Sequence, residues 1–235
     1  MVPLTDVLTI LEGCQSVDSL FVGVADEQLR MPRDLPYFHQ SGVMQKGFPL
    51  LKRLSTGHHN HSPDASTFAS PIFQHLTHLH FHGQYIDIMQ DHWGWDWESI
   101  SGLAQLTHLA VTFSCPLASL DVVSGTIKIV TAFSPPGVRV QIFFVNVAIL
   151  TGVAKCQAVE EFLAKHTDGR AVMGFTIGNG DYAPTGVMGD VLCVEESNIA
   201  KFFAMEDSES EDNFWAQAEK IVERRRRAVG RSKSG

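Results

Sequence analysis

Histidine is the residue type with the most chemistry to offer in this chain. There are eleven in 235 residues, and ten of them precede residue 109. His78, His80 and His82 alternate in Leu76-Thr-His-Leu-His-Phe-His82, and His108 falls in the related stretch Leu106-Thr-His-Leu-Ala-Val-Thr112. In an extended strand, alternate residues share a side, so the three imidazoles face one way while Leu76, Leu79 and Phe81 face the core. If the second stretch pairs in register with the first, His108 stands beside His78, about 4.8 Å away. Such a patch could ligate Zn²⁺, Ni²⁺ or Cu²⁺. Neighbours along one strand are ~6.6 Å apart, however, and no Asp, Glu or Cys on that face completes the set. The face is therefore read as a binding surface without a metal, titrating near pH ~6.5.

Other reactive patterns are weaker. His80-Phe-His82 has the H-x-H form that opens metal-dependent hydrolase barrels, and this is the alternative function. Only His166 lies beyond His108, and 235 residues is the lower limit for an eight-fold barrel. There is no G-x-S-x-G, no G-x-x-x-x-G-K-[ST] and no H-E-x-x-H. Gly178-Asn-Gly-Asp lacks the third glycine of a dinucleotide loop. Cys14, Cys115, Cys156 and Cys193 are scattered and read as reduced thiols. The expectation is a protein that is no enzyme and needs no cofactor. Trp93, Trp95 and Trp97 alternate within five residues, and tryptophan is enriched among interface anchors. The candidate binding residues are thus His78, His80, His82, His108, Trp93 and Trp95.

The elements that must carry these residues follow an irregular repeat. Leu79 and Leu109 sit in stretches that follow L-x-x-L with a further apolar residue two places on, and Leu20, Leu54 and Ile129 in looser copies, at steps of 34, 25, 30 and 20 residues. That form and spacing are those of leucine-rich repeats, in which a short strand is followed by a helical or irregular return. The returns include helices near Thr5–Leu11 and Ala154–His166 and a short helical approach over Trp97–Leu106. Further strands are expected over Val140–Val147 and Arg170–Ile177, and loops over 56–70 and 178–186. The fold class expected is α/β: a degenerate leucine-rich-repeat-like solenoid with a parallel sheet and a C-terminal capping helix. Its parts are a repeat domain (1–205), an acidic linker (206–212), a helix (213–228) and a disordered basic tail (229–235).

Composition excludes collagen-like and fully disordered chains, since 44% of residues are hydrophobic and 19% charged. The longest apolar run, Val138–Ala154, is broken by Arg139, Gln141 and Asn146, and Met1–Glu12 lacks the features of a signal peptide. A cytoplasmic or nuclear protein with no membrane contact is expected. The net charge of −8 is uneven: residues 220–235 hold seven of 18 basic residues and one of 26 acids, leaving 11 against 25, or −14. Such a body repels phosphate backbones, so no nucleic acid is expected to bind through it. The Arg224–Arg227 run reads as the solvated end of a helix, with a nuclear-localisation patch as the other reading.

Taken together, the Leu-Thr-His-Leu strands, Trp97-Glu-Ser99, Asp168-Gly-Arg170 before an apolar strand, Asp181-Tyr182, and Phe214-Trp215 leading into Ala218-Glu219 and an Arg-rich helix form an ordered set. Over roughly residues 70–228 it resembles a group of fungal (mushroom-type) uncharacterised proteins that join an F-box to degenerate leucine-rich repeats. The resemblance implies protein–protein recognition, with the repeats holding a protein target and the F-box docking onto a cullin-type ubiquitin ligase. Residues 1–45 do not supply an F-box: Leu35-Pro36 is followed by Tyr37-Phe-His-Gln-Ser-Gly, which is not a helical run. A truncated product without retained activity is the third expectation.

Overall fold

The computed structural model describes residues 16–22, 49–57, 66–69, 71–85, 95–114, 120–146, 169–177, 186–188, 191–195 and 213–232. Ten strands and two α-helices lie among them. The strands are β1 (Ser19–Val22), β2 (Arg53–Gly57), β3 (Ser66–Thr67), β4 (His78–Tyr85), β5 (Trp95–Asp96), β6 (His108–Ser114), β7 (Val140–Asn146), β8 (Ala171–Ile177), β9 (Gly186–Met188) and β10 (Val191–Glu195). The helices are α1 (Leu120–Phe133) and α2 (Phe214–Ser232). Short 3₁₀ turns at Pro71–Phe73 and Trp97–Gly102 precede β4 and β6.

The main sheet has the order β1-β2-β4-β6-β7-β8-β10-β9. Seven strands are parallel and follow chain order; β9 runs antiparallel at the edge. β3 and β5 form a separate parallel pair. Leu20, Leu54, Leu79 and Leu109 are consecutive register partners, so four of the five predicted anchors stand in one ladder. A backbone ladder accompanies it just before each strand. The carbonyl of Asp18 accepts from the N–H groups of Lys52 and Arg53, that of Lys52 from Thr77 and His78, that of Thr77 from Thr107 and His108, and that of Thr107 from Arg139 and Val140. β2, β4, β6 and β7 thus each start on a carbonyl next to the strand before, which satisfies backbone groups at the turn and locks the register.

The fifth anchor is corrected. Ile127-Lys-Ile-Val-Thr131 belongs to α1, not to a strand, and Ile129 is 45% exposed. Val123, Thr126, Ile127 and Val130 are the buried residues, at a spacing of three and four, which is the helical period. The ladder continues instead through Gln141 and Ala171. The expected strands over 140–147 and 170–177 are present as β7 and β8. The expected loop at 56–70 is interrupted by structure: Thr56–Gly57 close β2, Ser66–Thr67 form β3, and Phe68 is fully buried. The helices expected at Thr5–Leu11 and Ala154–His166, the acidic linker and most of the 178–186 turn lie outside the described residues.

One face of the sheet packs on the returns. Leu54, Leu79, Phe81, Leu109, Val111, Phe113, Phe143 and Met173 meet Ile72, Phe73, Ile100, Leu103, Val123, Ile127 and Val130 in a single core. Leu76, Leu79 and Phe81 are inward, as the alternation predicts. Phe68 sits in the middle of an aromatic group, its ring 5.4 Å from Phe73, 5.3 Å from Phe81 and 5.6 Å from Trp97.

The opposite face is covered by α2 rather than left open. Phe214, Trp215, Ala218, Ile221 and Val222 pack on Ala110, Val140, Ile142, Phe144, Val172 and Leu192. The predicted capping role is therefore corrected: the helix lies across the sheet over β7 and β8 and does not close the end of the strand stack. It also continues to Ser232, past the expected boundary at 228. Asn213 starts it, with Oδ1 accepting from the Trp215 N–H at 2.9 Å. Gly174 makes room for the packing. A Cβ there would lie 2.4 Å from Cε1 of Phe144, the ring that meets Phe214 edge-on at 5.5 Å.

Candidate functional site: the histidine face under the C-terminal helix

β4 and β6 bring three of the predicted histidines, His78, His80 and His108, together on one face of the sheet, with α2 on the His78–His108 pair. His78 pairs in register with His108, as the two Leu-Thr-His-Leu stretches imply. Their rings stack face to face, with centroids 4.1 Å apart and planes within 3°. Trp215 of α2 stands beside the stack, 5.3 Å from each ring and inclined at 75° to both.

The threonine preceding each histidine fixes its tautomer. Thr77 Oγ1 donates to the Lys52 carbonyl at 3.1 Å, and Thr107 Oγ1 donates to the Thr77 carbonyl at 3.0 Å. Each hydroxyl proton is thereby committed. The contacts His78 Nδ1–Thr77 Oγ1 (2.9 Å) and His108 Nδ1–Thr107 Oγ1 (2.8 Å) are then bonds in which Nδ1–H donates. In the neutral rings Nε2 is left as an acceptor. His108 Nε2 meets Oε1 of Glu219 on α2 at 3.0 Å, a contact between two acceptors unless a proton lies between them. Burial pushes the His78 pKa down to about 3, with further lowering from His108 and Arg53. Burial also lowers that of His108; the Glu219 carboxylate opposes this, while Arg139 and Arg53 add to it.

His80 belongs to a different arrangement. Its Nδ1 is 2.7 Å from Ser55 Oγ and its Nε2 is 2.9 Å from Thr112 Oγ1, a row crossing β2, β4 and β6. All three residues are buried, His80 at 2% exposure. Because both ring nitrogens are engaged by hydroxyls, the imidazole has no lone pair directed at a metal, and the row reads as a satisfied polar link within the sheet.

The expectation of an exposed polar histidine face is thus corrected. His80 and His108 are buried and His78 is half-buried. Strand alternation assigns a residue to a face, but the occupancy of that face depends on α2, whose Glu219 lies 111 residues from His108. The side chains of His82 and Trp95, and the whole of Trp93, lie outside the described residues. Trp95 opens β5, its backbone in register with Ser66. Trp97 is core, 6% exposed. Sequence reasoning missed Ser55, Thr112, Thr77, Thr107, Trp215 and Glu219 as members of the site. The Thr-His dipeptides at 77–78 and 107–108 were the available signal for two of them.

Among the described residues no three His, Cys, Asp or Glu side chains come together in a way that would hold a metal ion. Among the same residues no helix is long and apolar enough to cross a membrane. No protein-family model, curated protein or solved structure matches the chain.

Proposed function

We propose that this chain is a protein-recognition module built as a leucine-rich-repeat-like solenoid, the receptor part of an F-box-type ubiquitin ligase. The observation that carries the reading is the in-register ladder Leu20–Leu54–Leu79–Leu109 in parallel strands that follow chain order. Stacked units of this kind bury one shared core while leaving each turn and return free to vary, which suits them to protein partners rather than to a fixed reaction centre. The partner surface assigned to this reading is carried by Trp93 and Trp95 together with the half-buried Arg53 beside the histidine face. His80 and His108 act beneath it as supports. Engagement of both His80 nitrogens argues against the hydrolase alternative.

The test is capture of a partner by the full chain, followed by titration of that purified partner against the wild type and the double variant Trp93→Ala/Trp95→Ala. The expected result is a loss of affinity of tenfold or more with an unchanged thermal midpoint. Undiminished affinity refutes the assignment of the surface, and a large drop in midpoint moves the tryptophans into the core. Titration against the adaptor subunit of a cullin-type ligase separately tests the ligase link.

A further inference from the structure

We infer that the stacked His78–His108 pair beside Trp215 is an acid-released latch holding α2 on the sheet. The inference goes beyond the recognition reading and stands without it. Both rings carry their proton on Nδ1, because the threonine hydroxyls are already committed to carbonyls. One additional proton fits the arrangement, between His108 Nε2 and Glu219 Oε1. A second has to go onto His78, whose ring lies face to face with that of His108 at 4.1 Å. Two imidazolium rings at that separation repel each other.

The charged groups facing the pair from the described elements are Arg53 of β2, Arg139 just before β7 and Glu219 of α2, two cations against one carboxylate. The carboxylate is half-exposed and reaches only His108. When α2 lifts, both imidazoles meet water and the lowering due to burial is relieved, while that from the stacked neighbour and Arg53 stays with the sheet. The sign follows directly. His78 holds its docked pKa at about 3, below its value once α2 has lifted, so docking is strongest at neutral pH and weakens as pH falls through the acid range towards 3. His108, whose added proton can be shared with Glu219 Oε1, supplies little of the release, and His78 carries it. Lifting α2 uncovers Val140, Ile142, Phe144, Val172 and Leu192, an apolar surface that the closed form hides.

Hydrogen exchange of the full chain at pH 7.5, 6.5 and 5.5, corrected for intrinsic rates, tests this. One histidine that refuses its proton when docked changes the opening equilibrium by at most about tenfold between pH 7.5 and 5.5. Amides of α2 across residues 218–225 should lose protection by that factor while those of β4 and β6 keep theirs. The double variant His78→Phe/His108→Phe, which keeps the aromatic stack, should show α2 protection independent of pH. Should it fail to fold, His78→Gln alone should remove that change. Three results overturn the inference: no change in α2 protection with pH in the wild type, an equal loss in β4 and β6, or the wild-type pH dependence retained in the histidine variants.

Discussion

Replacing Gln141 by leucine should stabilise this protein, and the reason lies in the leucine ladder. Gln141 is the register partner of Leu109 on one side and Ala171 on the other, and it is fully buried. Its carbonyl Oε1 accepts from Thr131 Oγ1 at 3.3 Å, a long bond, while Nε2 has no partner. A buried amide nitrogen without an acceptor costs about 1–3 kcal/mol. Leucine is close to glutamine in volume and matches Leu109 on one side, with the small Ala171 on the other, so overpacking is small. The loss is the Thr131 bond, about 0.5 kcal/mol because that hydroxyl is half-exposed and can turn to water. The balance is a gain of about 0.5–2.5 kcal/mol, corresponding to roughly 1–10 °C in thermal midpoint for a chain of this size. Urea unfolding should show a raised midpoint with an unchanged slope. Gln141→Glu provides the contrast, since a carboxylate in that place must be neutralised or left unpaired, and should cost about 3 kcal/mol or more. A leucine variant less stable than the wild type by 1 kcal/mol or more would refute the reasoning, because it would mean that the amide is satisfied and the position is not equivalent to its neighbours.

Two further substitutions probe how α2 is seated. Gly174→Ala places a methyl 2.4 Å from the Phe144 ring and 3.1 Å from the Leu192 carbonyl oxygen, and should cost about 1–3 kcal/mol in urea unfolding. Much of that cost should be recovered when Phe144→Leu is added, and strict additivity of the two would contradict the contact. Asn213→Ala removes the acceptor for the Trp215 N–H and should cost about 1 kcal/mol, with the first turn of α2 losing hydrogen-exchange protection before the sheet does.

The parts of this fold that are legible along the chain are those whose information is local. Leu76-x-x-Leu79-x-Phe81 and Leu106-x-x-Leu109-x-Val111 mark strands because period two is written in apolar residues, and their equal internal spacing predicts the register that pairs His78 with His108. The apolar runs of β7 and β8 are legible for the same reason. Ile127-Lys-Ile-Val-Thr131 misled because two isoleucines two residues apart imitate a strand. The surrounding residues Val123, Thr126 and Val130 carry the competing helical period, and that is the one the core uses. The true fifth member of the ladder, Gln141, is polar and leaves no apolar signal to find.

The histidine face divides along the same line. Which residues share it is set by alternation, and which two stack is set by repeat spacing; both are properties of neighbours in sequence or of equal intervals. Whether that face meets solvent is decided by α2, which docks Trp215 and Glu219 on histidines more than a hundred residues away. Long-range burial of this sort has no local period, since it depends on an amphipathic helix finding the one sheet face whose apolar half matches its own. The residue types and spacing along the chain thus placed the imidazoles of His78, His80 and His108 on one side of a strand pair. Tertiary packing turned two of them into a stacked pair under a helix and made a third the centre of a buried hydroxyl row. The physical reason is that an imidazole is a binding group, a structural bond or a proton-sensitive contact according to what surrounds it, and those surroundings come from distant parts of the chain.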